Sequence, residues 1–387
     1  MKLASIVLAA GKGTRMKSRH PKVLHQVCGK PMIHYAVLVA KLNGAEKTVL
    51  VVGHGAEEVQ KYLGDRVDFA LQNEQLGTGH AVQCALPSIP DEFDTILVTY
   101  GDMPLLTAET LQKLVQTQAN NAGPLSLVTM IDEDSRGFGR ILRGADGAVT
   151  AIVEEAQCTP EQLAISELNV GAYCFDAKWL KQAIERLPLS PKGEYYLTDV
   201  VSIAVQDGLR VAAFTVNDNH EALGINTRVH LAEAETVMRR RILEQCMLAG
   251  VTVVDPASTY VEDGVTIGMD TILQPNTFLR GDTVIGEGCV IGPNTIVTDC
   301  QVGNRCVILA VVMEKAIVED GVDMGPFARL RKGAHLGPGV HMGNFGEVKD
   351  SYLGAGTKMG HFSYIGNATI GKDVNIGAGT ITCNYDG

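Results

Sequence analysis

The hydrophobic pattern of residues 1–226 predicts alternating strands and helices. Short apolar runs bounded by turn residues predict strands, and apolar residues at helical spacing lie between them. The predicted strands are Ala4–Ala9, Thr48–Val52, Thr95–Tyr100 and Ser126–Met130, and the helices include Met32–Leu42 and Ala108–Gln118. This alternation indicates an α/β domain with a mostly parallel sheet covered on both faces. Ligands of such sheets bind beyond the carboxyl ends of the strands.

Residues 227–249 predict one long helix, because neither Gly nor Pro interrupts the stretch and Gly250 closes it. The run Arg239-Arg240-Arg241 is interpreted as a solvated helix face rather than a binding patch. We expect this helix to connect two domains. The expected boundaries are 1–228 for the first domain, 229–249 for the helical linker and 250–387 for the second domain.

From Val261 onward the apolar period changes to six. Aliphatic residues or Met recur at 261, 267, 273, 279, 285, 291 and 297, and small or β-branched residues usually follow four places later. After an irregular passage over 300–317 the register resumes at 318 and continues, with single-residue slips, to 376. A hexapeptide repeat predicts a parallel β-helix whose aliphatic residues point inward. The alternative is a Gly-rich antiparallel barrel, which the length and regularity of the repeat disfavour.

Composition narrows the classes of function. A formal net charge of −11 argues against a broad nucleic-acid-binding face. The nine cysteines are scattered and form no CxxC pair, which argues against a disulfide framework and a structural zinc site and fits a reducing compartment. The apolar run near the start of the sequence is too short to span a membrane. We therefore expect a cytoplasmic protein with neither a membrane nor a nucleic-acid partner.

The strongest local motif is the run from Leu8 to Met16, Leu-Ala-Ala-Gly-Lys-Gly-Thr-Arg-Met, followed by Pro21-Lys22. A Gly-rich turn after a buried strand brings backbone N–H groups close to a phosphate, and Arg15 and Lys22 add positive charge. The spacing matches neither the Walker A motif of P-loop ATPases nor the complete glycine pattern of dinucleotide-binding folds. A simple strand-to-helix turn is the alternative interpretation.

This run is similar to the signature of sugar-nucleotide pyrophosphorylases. Gln72–Ala81 resembles the uracil-reading segment of one bacterial family, and Tyr100–Leu105 resembles its metal-binding turn. Further segments follow in the expected order: Gly137–Ile141, Ile152–Glu154, Glu167–Gly171, Gly193–Asp199 and Gly224–Asn226. The family is that of the bifunctional UDP-N-acetylglucosamine pyrophosphorylases and glucosamine-1-phosphate N-acetyltransferases. The resemblance covers essentially the whole chain, and it implies a Rossmann-like nucleotidyltransferase domain followed by a left-handed parallel β-helix.

The resemblance implies that the first domain transfers the uridylyl group of UTP to N-acetylglucosamine 1-phosphate, giving UDP-N-acetylglucosamine and pyrophosphate. Arg15 and Lys22 would act on the triphosphate, and Asp102 and Asn226 would bind Mg²⁺. Asn226 also belongs to the implied substrate-binding set, with Leu8, Ala9, Ala10, Gly11, Gln72, Gly77, Thr78, Tyr100, Gly101, Gly139, Glu154 and Asn169. Within this set, the uracil would be read by Gln72, Gly77 and Thr78, and the sugar would be held by Gly139, Glu154 and Asn169. One departure is Glu155-Ala156, where a basic residue is expected close by.

The repeat domain resembles left-handed β-helix acyltransferases. The matching segments are Gly325–Arg331, Gly343–Phe345, Glu347–Lys349, Gly360–Tyr364, Asn375–Thr380 and Cys383–Gly387. The resemblance implies acetyl transfer from acetyl-CoA to glucosamine 1-phosphate, with His361 as the base and Glu347 orienting it; a neutral His suits that task. The remaining implied roles are sugar-phosphate binding by Arg331 and Lys349, sugar binding by Tyr364 and Asn375, and acetyl-CoA binding by Ala378, Asn384 and Tyr385.

Family members continue for several coils beyond residue 387, so we expect acetyl transfer by this chain to be impaired. The flat faces of the coils predict a homotrimer. The resemblance also implies that, in the intact protein, both reactions serve peptidoglycan and lipopolysaccharide precursor synthesis. Three alternatives stay open: a nucleotidyltransferase for another sugar such as glucose 1-phosphate, a non-catalytic regulatory subunit, and a β-helix that serves only as a trimerising scaffold. The presence of the loop cations and metal ligands argues against the second, and the set of His361, Arg331 and Lys349 argues against the third.

Overall fold

The computed structural model describes residues 2–384. The chain divides into two compact units, and the division falls between Ala234 and Glu235. The first unit is an α/β domain and the second is a β-helix. Within the described residues, no helix is both long enough and apolar enough to cross a membrane.

The strands of the first unit form a mixed sheet and one small hairpin. In chain order they are β1 (Leu3–Leu8), β2 (Gln26–Val27), β3 (Lys30–Pro31), β4 (Lys47–Val52), β5 (Asp68–Leu71), β6 (Thr95–Tyr100), β7 (Leu125–Ile131), β8 (Arg140–Arg143), β9 (Val149–Val153), β10 (Glu167–Asp176) and β11 (Val211–Thr215). The order across the sheet is β11-β7-β10-β6-β1-β4-β5, with β8 on β10 and β9 on β8. Along this order only β10 runs antiparallel to its neighbours. The four strands predicted from the sequence are present, with ends displaced by at most one residue.

Helices cover this sheet on both faces. They are α1 (Met32–Leu42), α2 (Ala56–Leu63), α3 (Thr78–Ala85), α4 (Ala108–Ala119), α5 (Pro160–Leu163), α6 (Ala177–Ala183) and α7 (Asp199–Gln206). Every residue of β1 is buried. Ile6 lies in one apolar cluster with Val98, whereas Val7 lies in another with Ile33. Successive side chains of a strand point to opposite faces, so a strand that is apolar throughout must be covered on both sides.

Four strands of the sheet end at the same edge. Leu8 pairs with both Val51 and Tyr100, and Val52 pairs with Leu71. Because β1, β4, β5 and β6 are parallel, the chain leaves all of them on one side. The residues that follow their last positions are Ala9, Gly53, Gln72 and Gly101. This is the edge at which a site is expected.

Helix α8 (Arg228–Leu248) begins in the first unit and ends in the second. In the second unit its residue Leu243 is buried against Val251 and Val261. The guanidinium of Arg239 lies over the ring of Tyr260, 4.4 Å from the centroid. Arg239 is therefore held by a contact within the protein, because a guanidinium gains a favourable interaction on the face of an exposed aromatic ring.

The second unit is a left-handed parallel β-helix, as the hexapeptide repeat and the resemblance to acyltransferases together predict. Short strands stack in three parallel sheets. The first sheet contains Thr252–Val253, Ile272–Leu273, Val290–Ile291, Val307–Ile308, Asp323–Met324, His341–Met342 and Lys358–Met359. The second contains Tyr260–Val261, Thr277–Arg280, Thr295–Thr298, Val312–Glu314, Arg329–Leu330, Gly346–Lys349 and Ser363–Gly366. The third contains Thr266–Ile267, Val284–Ile285, Gln301–Val302, Ile317–Val318, His335–Leu336, Tyr352–Leu353 and Thr369–Ile370.

The coils continue without interruption through 300–317, although the sequence register is irregular there. Val302, Ile308 and Met313 point inward and are at most 4% exposed. Each coil has three sides, and each side contributes one inward-facing residue. In this passage some successive inward-facing residues are five positions apart instead of six, so the sequence does not show the period of six. At the corner of a shorter side, a residue with left-handed backbone angles stands two positions after the inward-facing residue. Ala310 (φ 51°) stands in this way after Ile308, and Lys315 (φ 48°) after Met313. A longer side commonly has its left-handed residue one place later.

Candidate functional site

The loop after β1 is shaped by glycine. Gly13 has φ 59°, and a Cβ atom at that position would lie 2.6 Å from Cβ of Lys22. Only glycine therefore allows the Lys22 segment to approach the loop this closely. A Cβ atom at Gly11 would meet no atom within 4 Å, so this residue faces open space. The loop thus has one glycine that packs and one that leaves room for a ligand.

Four predicted residues meet in a cluster of cations and oxygens. The ammonium of Lys22 donates to Oδ2 of Asp102 at 2.5 Å and to Oδ1 of Asn226 at 2.7 Å. The guanidinium of Arg15 also donates to Oδ1 of Asn226, at 2.9 Å. The side chains of Lys22 and Asp102 are only 13% and 22% exposed. Charge-assisted hydrogen bonds in such a setting are stronger than neutral ones.

Backbone contacts fix the two acidic or amide members of this cluster. Gly101 N–H donates to the carbonyl of Leu8 at 2.9 Å, which ties the turn before Asp102 to the end of β1. Ile225 N–H donates to the Asp102 carbonyl at 3.0 Å, so the segment carrying Asn226 is bonded to that turn. Carboxylate and carboxamide oxygens are ligands that suit Mg²⁺. Among residues 2–384, no group of three or more His, Cys, Asp or Glu side chains could hold a metal. A metal at this cluster would therefore complete its coordination shell with water or with oxygen atoms of its substrates.

A cavity of about 450 Å³ adjoins the cluster at the strand edge. The predicted residues that line it are Leu8, Ala9, Ala10, Gly11, Arg15, Lys22, Gln72, Gly77, Thr78, Tyr100 and Asp102. Gln75, Glu194 and Tyr196 also line it and were not predicted. All three lie in or beside segments that the sequence singled out, Gln72–Ala81 and Gly193–Asp199, so membership of those motifs was the signal that could have identified them.

Gln72 directly follows β5 and is 3% exposed. Its Nε2 donates to the Gly77 carbonyl at 3.0 Å and lies 3.1 Å from Nδ1 of His80. Gly77 has φ 99°, and a Cβ atom there would lie 2.4 Å from the Tyr195 carbonyl oxygen. Tyr195 in turn donates to the Leu76 carbonyl at 2.8 Å. The loop after β5 is therefore held on both sides, and the carboxamide of Gln72 has a defined orientation.

The residues predicted on the sugar side form a separate group. Asn169 N–H donates to the Gly139 carbonyl at 2.9 Å, and Asn169 Nδ2 donates to the Tyr173 hydroxyl at 2.7 Å. Oε1 of Glu154 accepts a hydrogen bond from Thr198 Oγ1 at 2.9 Å. Burial raises the pKa of Glu154, and the Thr198 hydrogen bond opposes this effect.

A second cavity of about 450 Å³ lies beside Glu154. Its lining includes Glu155, Ala156, Lys192 and Tyr196, and Tyr196 also lines the first cavity. Glu155 accepts hydrogen bonds from Arg140 at 3.1 Å and from Ser135 at 2.6 Å. Among the described residues that line this cavity the cation is Lys192, which is distant in sequence from 155–156. Among the described residues that line the two cavities, four predicted site residues are absent: Gly101, Gly139, Asn169 and Asn226.

In the second unit, neighbouring coils bring several predicted residues together. Arg331 donates to Oε1 of Glu347 at 3.0 Å. Lys349 Nζ lies 3.5 Å from the carboxylate of Asp350. Glu347 and Tyr364 are register partners on adjacent strands. Two cations and one tyrosine hydroxyl are thus displayed on successive coils.

Asn384 Nδ2 donates to the Tyr364 hydroxyl at 3.3 Å and to Asn367 Oδ1 at 3.0 Å. Asn375 forms an isolated bridge with Lys358 and is exposed, as is Ala378. The remaining residue predicted to face acetyl-CoA, Tyr385, lies outside the described residues.

His361 is exposed in the turn that precedes Ser363–Gly366. The expected orienting contact from Glu347 is not part of this arrangement: between the described residues no hydrogen bond joins Glu347 to His361, and Glu347 is paired with Arg331 instead. A guanidinium on the neighbouring coil is the stronger partner for a carboxylate, because the ion pair carries full opposite charges.

Residues 5–170 match the MobA-like NTP transferase domain family. The chain is 49% identical over 387 residues to the bifunctional protein GlmU of Heliobacterium modesticaldum, covering 100% of this chain and 84% of that protein. It is 48% identical over 384 residues to the bifunctional protein GlmU of Exiguobacterium sibiricum, covering 99% of this chain and 86% of that protein. With the GlmU protein of Enterococcus faecalis it shares 44% identity over 384 residues. The chain therefore belongs to the GlmU family of bifunctional transferases.

Proposed function

We propose that the first unit transfers the uridylyl group of UTP to N-acetylglucosamine 1-phosphate, giving UDP-N-acetylglucosamine and pyrophosphate. The observation that carries this proposal is the cluster of Arg15, Lys22, Asp102 and Asn226 beside the cavity that Gln72 lines. It combines positive charge for phosphates, hard oxygen donors for a divalent cation and a polar group for a base. Membership of the GlmU family supports the same assignment.

In the proposed reaction, an oxygen of the sugar phosphate attacks the α-phosphorus of UTP, and the bond from that phosphorus to the pyrophosphate oxygen breaks. Such transfers depend on positioning and on charge neutralisation more than on covalent help from the protein. Arg15 and Lys22 would hold the triphosphate and offset the charge that grows on the leaving pyrophosphate. The glycine-rich loop would contribute backbone N–H groups, because Gly11 leaves open space next to it.

Asp102 and Asn226 would hold Mg²⁺, which when bound supplies positive charge to the phosphates. Their carboxylate and carboxamide oxygens fit this ion, and the short list of protein donors matches the usual magnesium site, in which substrate phosphates and water complete the shell. On the sugar side, Glu154 and Asn169 would accept and donate hydrogen bonds to hydroxyl and N-acetyl groups. Lys192 would provide the cation that the segment 155–156 lacks.

The decisive experiment is product identification with UTP, Mg²⁺ and a panel of sugar 1-phosphates that includes glucose 1-phosphate. We expect UDP-N-acetylglucosamine and pyrophosphate as the main products. A preference for glucose 1-phosphate would favour the alternative of another sugar. An Asp102→Ala variant should lose nearly all turnover while it keeps the wild-type melting temperature, and a variant with most of its Mg²⁺-dependent rate would show that Asp102 is only a turn residue.

We also propose acetyl transfer from acetyl-CoA to glucosamine 1-phosphate by the second unit. The amine nitrogen would attack the thioester carbonyl, the carbon–sulfur bond would break, and His361 would take the proton from the amine. Arg331 and Lys349 would bind the sugar phosphate, and Tyr364 with Asn375 the sugar, while Ala378, Asn384 and Tyr385 would contact acetyl-CoA. Thiol release from acetyl-CoA should require glucosamine 1-phosphate and be lost in His361→Ala.

Three further proposals concern the whole chain. We propose a homotrimer built through the β-helix, supported by apolar side chains exposed on its sides, such as Val312, Ile317 and Phe345. Light scattering that finds a monomer at micromolar concentration would contradict it. We propose a cytoplasmic location, which cell fractionation tests. We also propose that residues 1–228 form an autonomous uridylyltransferase, since every residue assigned to that reaction lies within them, and pyrophosphate release by that fragment tests this.

A further inference from the structure

His80 is a histidine next to the cavity that has no role in the proposed reaction. It lies on α3, eight residues after Gln72 in the sequence, and both of its ring nitrogens have partners. Nδ1 is 3.1 Å from Gln72 Nε2, and Nε2 is 3.7 Å from the sulfur of Cys84. The ring therefore connects the buried carboxamide of Gln72 to the body of helix α3.

The orientation of the Gln72 carboxamide follows from hydrogen-bond chemistry. The Gly77 carbonyl can only accept, so the group 3.0 Å from it must be the NH₂ end of Gln72. The same NH₂ group lies next to His80 Nδ1, which must then accept the second hydrogen. The ring proton is consequently on Nε2, where it points to the Cys84 sulfur, a weak acceptor. Both donors of Gln72 are used inside the protein.

This arrangement leaves the Oε1 atom of Gln72 as the only polar group that the side chain can offer to a ligand. No donor within residues 2–384 bonds to Oε1, and Gln72 lines the cavity. An acceptor that faces the cavity without a protein partner favours a ligand that brings a donor and disfavours one that brings a second acceptor. The N3 position of uracil carries a hydrogen, whereas N3 of cytosine carries a lone pair.

We propose that His80 is a positioning residue that sets nucleotide specificity: by accepting from the Gln72 NH₂ group, it holds Oε1 toward the base, and the site selects uracil against cytosine. This rests on the proposed uridylyl transfer and extends it to the choice of base. Without an acceptor at position 80, one Gln72 N–H loses its partner. The carboxamide can then rotate and present NH₂ to the base, which suits the lone pair of cytosine N3.

The test compares His80→Asn with His80→Leu. The Oδ1 atom of Asn can accept in place of Nδ1, whereas Leu fills similar space without an acceptor. Equilibrium dissociation constants for UTP and CTP are measured on the full chain, so that the result does not depend on turnover. We expect the wild type and His80→Asn to prefer UTP, and His80→Leu to lose about tenfold of that preference, the effect of one hydrogen bond.

A purely structural role for His80 would weaken UTP and CTP binding by the same factor in His80→Leu, leaving the ratio unchanged, and this would overturn the proposal. Equal affinity of the wild type for the two nucleotides would also overturn it. Melting temperatures of both variants report whether the helix is intact. Failure of uridylyl transfer in the product assay, with the UTP preference and its loss in His80→Leu preserved, would contradict the proposed function but not the role of His80.

Discussion

The ammonium of Lys22 lies 2.5 Å from Oδ2 of Asp102, and this cation contacts the same side-chain oxygens that are proposed to bind Mg²⁺. Lys22 and a divalent cation are therefore expected to compete electrostatically at Asp102, although both stabilise phosphates. When Asp102 binds the metal, Lys22 loses its hydrogen bond to that carboxylate. The nucleotide and the metal can therefore bind together only if triphosphate oxygens replace Asp102 as the acceptor for Lys22.

Replacing Lys22 with Met should lower uridylyl transfer by about 100-fold or more, the usual effect of losing one preorganised charge in such a site. Binding of Mn²⁺, a spectroscopic substitute for Mg²⁺, should not weaken and should become tighter, because Asp102 loses a competing cation. Electron paramagnetic resonance titration measures the second effect directly. Lys47→Ala, which removes a more exposed ion pair with Asp68, serves as the control. Weaker Mn²⁺ binding in Lys22→Met would contradict the idea of competition.

Gly13→Ala should destabilise the chain by about 1–3 kcal/mol, because it places a side chain at φ 59° and 2.6 Å from Cβ of Lys22. Gly11→Ala is the matched control in the same loop, since its new Cβ atom meets nothing within 4 Å. We expect Gly11→Ala to melt close to the wild type while it impairs UTP binding, because the methyl group enters the space left for phosphate. Thermal unfolding with UTP titration separates these outcomes. Equal melting temperatures for the two variants would refute the packing role of Gly13.

The pH dependence of stability should differ in sign between Glu154 and Glu155. Burial raises the pKa of Glu154, so its carboxylate disfavours folding above the folded-state pKa, and this penalty disappears below the ordinary value of 4.5. Glu154→Gln should therefore raise the melting temperature at pH 7 relative to the wild type, and the difference should shrink as the pH falls toward 4.5.

Hydrogen bonds from Ser135 and Arg140 lower the pKa of Glu155, although burial opposes them. That carboxylate stabilises the fold above its ordinary pKa, and the stabilisation is lost as the pH falls through the folded-state pKa. Glu155→Gln should accordingly lower the melting temperature at pH 7 and converge with the wild type in acid. Melting curves of both variants across this range are the measurement, and shifts of the same sign would show that the two environments are misassigned.

Ala310→Gly should stabilise the β-helix by about 0.5–1 kcal/mol, because Ala310 has φ 51° and glycine adopts this region without steric cost. Ala316→Gly is the matched control in the next side of the coil. Ala316 is 2% exposed, so its methyl group contributes to the core and its loss should be destabilising. Chemical denaturation of the two variants decides the point, and a loss of stability in both would contradict the assignment of strain to Ala310.

Local pattern was sufficient for the elements and insufficient for contacts between distant segments. The bounds of the predicted strand Thr95–Tyr100 agree with the structure, because an apolar run between turn residues has few other solutions. By contrast, nothing in the local sequence around Lys192 indicates that it shares a cavity with Glu154 and Ala156. That proximity is a product of the tertiary fold.

The family resemblance predicts individual site residues, which the hydrophobic pattern does not. It does not predict the contacts that these residues make with other side chains. It assigns a role to Gln72 and none to His80, because the contact between these two side chains depends on how helix α3 packs against the end of β5. The pairing of Glu347 with Arg331 was missed for a related reason: both residues belong to resembling segments, and only the stacking of coils decides which charged groups meet. Repeats of unequal length, as at 300–317, defeat a search for a fixed period.

The shortened sides of the β-helix bear on how such a sequence can diverge. The first sheet passes from Ile291 to Ile308 and on to Met324, at intervals of 17 and 16 residues, and each of these side chains is still buried. Single-residue gains and losses at a corner are absorbed there, since the left-handed residue resets the direction of the chain before the next strand begins. Related chains can consequently gain or lose residues at the corners while each strand residue keeps its inward or outward orientation. An alignment of this unit should therefore match the buried inward-facing residues rather than a fixed period of six.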